Sequence, residues 1–175
     1  MGKAWSHFKT ITYHKYLVAG GCFRVGLYRQ GLLHDMSKYG LTEFLVGARY
    51  YQGNRSPNDA YREEKGYSGA WLHHKGRNRH HYEYWIDYNQ EGKMVPCPMP
   101  DRYIAEMIMD RIAASKVYEG KNYTDASPLD YYSRGGNVNT PMHEYTRTVL
   151  ERMLKMLAEE GEEKTFAAIR RELVE

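Results

Sequence analysis

Residues 101–119, DRYIAEMIMDRIAASKVYE, decide the fold class. Ile104, Met107, Ile108 and Ile112 recur at helical spacing on one face, and Asp101 stands at the start, where the helix dipole favours an acid. Pro96, Pro98 and Pro100 make the preceding connector stiff and non-helical, so the helix begins sharply. The same period recurs outward from this segment. Residues 3–30 read as helix interrupted at Gly20-Gly21, and Leu32, Leu33, Met36 and Tyr39 continue helical spacing through 31–39. After Gly40, the residues Leu41, Phe44, Leu45, Ala48 and Tyr51 repeat it, and 69–87 reads as helix despite Gly76. From Pro141, a stripe of Val149, Leu150, Met153, Leu154 and Leu157 marks a long amphipathic helix, with Gly161 separating a final short one. Residues 52–68 read as mostly loop. Residues 120–140, with Ser127-Pro128 and Gly135-Gly136, read as a long loop of the functional or mobile kind. No segment alternates convincingly with period two. The expectation is an all-α, single-domain helical bundle over residues 1–175.

Composition agrees with one domain. A chain of 175 residues buries about 70% of the surface its unfolded form exposes, enough to need no staples. Apolar residues at 42% and charged residues at 27% exclude a disordered, collagen-like or disulfide-dense class. With only Cys22 and Cys97, a reducing compartment is expected, Cys22 as core and Cys97 as loop packing. No apolar run approaches a membrane span and the start is not a secretory signal, so the expected location is the cytoplasm, away from membranes. A net charge of +3, from 25 basic and 22 acidic side chains, is too balanced to argue for nucleic acid. The stripe at 145–157, which includes Met153 and Met156, reads as core or as a homodimer surface.

The polar residues carry the chemistry. Six of the 8 His fall at positions 14, 34, 73, 74, 80 and 81. In His34-Asp35-Met36-Ser37-Lys38, helical spacing crowds His34, Asp35 and Lys38 onto one surface. His34 and Asp35 there serve one metal from two directions or bridge two, with Lys38 holding an anion such as phosphate. The plain alternative is an Asp35–Lys38 pair on a solvated face. A helix through 71–85 puts Trp71, His74, Asn78, His81 and Trp85 on one stripe, and His73, Arg77, His80 and Tyr84 on another. Tryptophans at both ends turn the first stripe inward and make His74 and His81 the better ligand candidates. His80 joins from the adjacent direction and His73 ranks last. The alternatives are a solvated His-rich face, or an anion patch with Lys75, Arg77 and Arg79. Asp110 interrupts an apolar helix, where an acid stays only if paired or bound to a cation. Its plain partners are Arg102 and Arg111.

Assembled, these residues resemble the HD-domain metal-dependent phosphohydrolase superfamily. His14, His34-Asp35 and Asp110 fall in that superfamily's order H…HD…D, and residues 34–38 match its HD-x-x-K string. His74, His80 and His81 stand where its dinuclear branches place further His. His80-His81 with Glu83 is similar to the HH-E region of the HD-GYP phosphodiesterases, with one extra residue before the Glu. The Gly-Tyr-Pro element of that branch is missing, so cyclic-dinucleotide hydrolysis is not implied. The likeness covers about residues 10–116, the helices of 141–175 completing the bundle. His7, seven residues before His14 on the same face, is the alternative first ligand.

The resemblance implies an all-helical fold holding one or two divalent transition-metal ions. Imidazole and carboxylate donors suit Fe, Mn, Co, Ni or Zn. It implies hydrolysis of a small phosphate ester, a nucleotide among the candidates, by a metal-activated hydroxide. Asp35 bridges, His14, His34, His74, His80, His81 and Asp110 ligate, and Lys38 neutralises phosphate charge. Arg77 and Arg79 draw the anion to the site. Two other readings use the same chain. Some proteins on this scaffold activate O₂ at a di-iron centre. A non-enzymatic nucleic-acid module would use the Tyr, Trp, Arg, Lys and His interleaved over Tyr61–Tyr84, but Glu159, Glu160, Glu162 and Glu163 count against it.

Overall fold

The computed structural model describes residues 2–134 and 140–175, and it is an all-α bundle with one small hairpin. Gly135-Gly136 of the expected loop lie outside the described residues. The central element is α6, Asp101–Glu119. It is buried nearly all round, by Ile104, Ala105, Met107, Ile108, Met109, Ile112 and Ala113, so it forms the axis of the core rather than one amphipathic wall. Around it pack α1 (Lys3–Arg24), α7 (Ser127–Arg134) and α8 (Glu144–Ile169). Val149, Leu150, Met153, Leu154 and Leu157 of α8 are all buried against it, so that stripe is core. Cys22 is in the core too, and Cys97 is half-buried.

The interruption expected at Gly20-Gly21 does not occur. α1 runs through both, and a Cβ at Gly21 would meet Met109 Sδ at 2.8 Å. The glycine is needed where α1 crosses α6, not to end the helix. The chain turns later, at Gly26, whose φ of +89° suits glycine. Gly161 does break α8, with φ 79° and ψ 175°. Beyond it Phe166, Ala168 and Ile169 return to the core. Arg24 on α1 and Lys116 on α6 both reach Glu162, pinning this turn to the bundle.

Residues 52–68 are not mostly loop. They contain α4, Pro57–Lys65, started by Ser56 Oγ accepting from Asn58 N and ended by Gly66 in the left-handed region. Ser-Pro at the start and Gly at the end are cap chemistry as much as loop chemistry. The expected loop at 120–140 likewise holds α7. The helix expected over 69–87 stops early. It is α5, Gly69–Lys75, and after Gly76 the chain turns, forms a 3₁₀ turn at Tyr82–Trp85 and enters a strand. That strand, Ile86–Tyr88, pairs antiparallel with Met94–Pro96, Ile86 opposite Pro96. Three-residue strands are too short to show a period, so alternation was no guide to them.

The helix expected through 31–39 breaks at the His-Asp doublet. α2, Tyr28–Leu33, ends before His34, and a 3₁₀ turn, Met36–Tyr39, leads to α3, Leu41–Tyr50. Among the described residues no helix is long and apolar enough to cross a membrane.

Candidate metal centre

Five segments deliver side chains to one buried point. The inward stripe of α1 reads His7, Ile11, His14, Val18, Cys22, so the stripe that packs the bundle also carries His14 inside. Between α2 and the 3₁₀ turn, Asp35 takes φ 54° and ψ 26°; among the described residues no other non-glycine has positive φ. This conformation costs about 1–2 kcal/mol for most residues, though Asp tolerates it better. The kink sends His34 and Asp35, neighbours in sequence, into the same interior. The last turn of α5 gives His74, the turn beyond it gives His80 and His81, and α6 gives Glu106 and Asp110, four residues apart on one face.

Asp35 lies in the middle. Its Oδ2 is 3.3 Å from His34 Nε2 and 3.7 Å from His14 Nε2, and its Oδ1 is 3.3 Å from His74 Nε2 and 3.5 Å from His80 Nε2. Asp110 Oδ1 closes the first side, 2.9 Å from His14 Nε2 and 3.5 Å from His34 Nε2. His81 closes the second. Three groups result: His14, His34, Asp35 and Asp110; Asp35, His74, His80 and His81, which shares Asp35 with the first; and, on the far side of the rings, His34, His80 and Glu106. Within each, the possible ligand atoms all lie within 4.8 Å of one another.

The orientation of the imidazoles tests whether a metal fits. The Nε2 atoms of His14, His34, His74, His80 and His81 and both oxygens of Asp35 are buried without an aligned hydrogen-bond partner. Each such orphan costs about 1–3 kcal/mol. The opposite nitrogens are satisfied: His34 Nδ1 and His80 Nδ1 lie 2.9 and 3.1 Å from Glu106 Oε1, and His74 Nδ1 lies 2.8 Å from Glu43 Oε2. A carboxylate accepting from Nδ1–H fixes the tautomer and turns the Nε2 lone pair inward, the arrangement found behind metal-bound histidines. The donors are nitrogen and oxygen without thiolate, a set for Fe, Mn, Co, Ni or Zn. The residues fit a metal ion.

Electrostatics point the same way. Four buried or half-buried carboxylates, Asp35, Glu43, Glu106 and Asp110, outnumber the two nearby ammonium groups, Lys38, 2.5 Å from Asp35 Oδ2, and Lys15, which donates to the His34 carbonyl at 2.8 Å. That imbalance favours further positive charge in the cluster. Burial alone would raise the Asp35 carboxyl, but His34 and Lys38 hold it well below the usual range. Burial would likewise strip the proton from His34, yet Asp35, Asp110 and Glu106 lift it well above an ordinary imidazole. His81 is pushed well down, by burial and then by His80 and His74, which keeps it neutral and able to ligate.

Of the expected site residues, His14, His34, Asp35, His74, His80, His81 and Asp110 come together, and Lys38 borders them. His14 rather than His7 joins the cluster. His73 turns away to Glu43 Oε1, at 2.7 Å. Arg79 donates to the Tyr103 hydroxyl at 3.3 Å over the Tyr84 ring, and Arg77 is exposed, so neither belongs to the cluster itself. The helical stripe that singled out His74 and His81 does not exist past Gly76; the turn achieves the convergence instead. Sequence reasoning missed Glu43 and Glu106. Glu106 did leave a signal, a second acid one turn before Asp110 in an apolar helix. Glu43, in the first turn of α3, left none.

An all-α bundle with a buried histidine–carboxylate cluster able to hold a metal ion is the class that fold and site define. Within it, the chain belongs to the DUF5662 family, a family of unknown function, whose model matches residues 3–156. That span includes every residue of the cluster. No curated protein and no solved structure matches the chain significantly.

Proposed function

We propose that this protein is a metal-dependent phosphohydrolase that holds two transition-metal ions across Asp35. The observation that carries the reading is the shared carboxylate: Oδ1 faces one set of unpaired Nε2 atoms and Oδ2 faces the other. The resemblance of His14, His34-Asp35 and Asp110 to the HD-domain phosphohydrolases supports the same chemistry. When bound, two such ions lower the pKa of water and clamp the attacking and leaving oxygens of a phosphate ester. The chain's own groups do the rest. Glu106 and Glu43 lock the imidazoles so that little reorganisation is needed, and the buried ring cluster excludes bulk water. Lys38 pairs with Asp35 at the edge of the cluster, and its partly exposed side chain offsets the charge of an arriving phosphate.

The test is phosphate release from a panel of phosphate esters by chelator-stripped protein reloaded with Mn²⁺, Co²⁺, Fe²⁺ or Zn²⁺. The expected result is turnover that needs added metal, stops with chelator and is the same in air and under argon. No release from any ester by fully loaded protein would overturn the reading. Activity only in the presence of O₂ would replace it with an oxygenase.

A further inference from the structure

A cavity of about 100 Å³ adjoins the metal cluster, sharing Lys38, Glu43 and His74 with it and reaching between α1, α3 and α5. At roughly 10–15 Å³ of such space per water, it takes about seven to ten water-sized groups. That is room within the walls for a single ring with its substituents. Trp71, Ile11, Ala70 and Pro57 give it apolar and aromatic walls.

Its polar groups are neutral or already spent. Glu43 is engaged by His73 and His74, and Lys38 by Asp35. Tyr51 and Thr10 hydroxyls bond each other at 2.9 Å. His7 is different. It is 6% exposed, and its Nδ1 has no hydrogen-bond partner. Its ring is fixed between Phe44 and Tyr51 and lies so close to Gly47 that a Cβ there would be 2.2 Å from Nε2. Burial, then the Lys38 ammonium, lowers its pKa to about 4, so it offers one donor and one acceptor and no charge. Clamped in the cavity wall with a nitrogen unpaired, this neutral imidazole keeps hydrogen-bonding capacity that the protein does not use.

We propose that this cavity is the leaving-group pocket of the site, that it takes an uncharged ring with a polar edge, and that His7 reads that edge. The substrate is then a small ring-bearing phosphomonoester, from a sugar or an aromatic alcohol, and not a nucleotide. Among the described residues lining the cavity, none is free to neutralise a second phosphate. The inference rests on the hydrolase reading for its phosphate and on the cavity for its ring.

The experiment titrates metal-loaded wild type, His7→Leu, His7→Gln and Gly47→Ala, which drives His7 aside. The ligands are inorganic phosphate, a hexose monophosphate, an aryl monophosphate, a pyrimidine nucleoside 5′-monophosphate and a nucleoside triphosphate. Binding is read by tryptophan fluorescence, and phosphate release and metal content are measured separately. In wild type, one ring monophosphate binds at least about tenfold tighter than inorganic phosphate, the worth of one or two hydrogen bonds. His7→Leu and Gly47→Ala lose that margin, His7→Gln keeps part of it, and metal content and inorganic-phosphate affinity stay unchanged. Preference for the hexose or the aryl ester tells the two sources apart. Unchanged discrimination in His7→Leu, or tighter binding of either nucleotide, overturns the proposal. Ring esters that bind in this way but release no phosphate would sink the hydrolase reading and leave the pocket assignment standing.

Discussion

Replacing Asp35 with Asn is expected to empty the centre while leaving the helices in place. Asn tolerates the left-handed backbone that residue 35 adopts, so the kink that delivers His34 survives the change. What disappears is the charge, together with the carboxylate whose two oxygens face the two groups of Nε2 atoms. Losing a ligand from both groups at once removes several kcal/mol of stabilisation of charge in the transition state, about a thousandfold in turnover or more. Metal content should fall together with turnover, and circular dichroism should not change. The rise in melting temperature that metal gives the wild type should vanish, because a ligand stabilises a fold only by binding it. Full metal content in Asp35→Asn would show that the ion, if any, sits elsewhere.

Glu106→Gln is expected to give the second largest effect, without touching any inward-facing ligand atom. Glu106 Oε1 accepts from both His34 Nδ1 and His80 Nδ1, and the Nε2 atoms of those two imidazoles face different oxygens of Asp35. An amide keeps the shape but weakens both bonds and frees both ring orientations. Carboxylates behind metal-bound histidines are worth about 10–100-fold in metal affinity. Glu106→Gln should therefore loosen both ions by that order. Glu43→Gln, which reaches only His74 in the cluster, should loosen one. Stepwise metal titration by calorimetry distinguishes these outcomes. Equal effects from the two substitutions would contradict the assignment of His34 and His80 to opposite sides.

Helical periodicity was enough to find the bundle, because α1, α6 and α8 are long and their buried stripes regular. It failed where length failed. The strands of three residues, the cap-defined α4 and the early stop of α5 are decided by turn and cap chemistry rather than by period. The doublet shows the limit most clearly. His34 and Asp35 were legible as candidate ligands from their types and order, but the left-handed Asp35 that makes them converge is a backbone event that helical spacing had hidden. His80 and His81 arrived by a turn, not by the stripe that nominated His81. Glu106 was readable as an acid buried beside Asp110. The partnership of Glu43 with His74 spans 31 residues and leaves no local trace.

The central claim is that two cations flank one carboxylate, and diffraction from crystals grown without chelator, at the absorption edge of the metal found, tests it most directly. The account predicts two anomalous peaks on either side of Asp35, about 3.5–4 Å apart. One should lie among His14, His34 and Asp110, the other among His74, His80 and His81. A fully occupied metal away from these side chains, or no peak among them in metal-soaked crystals, would contradict it.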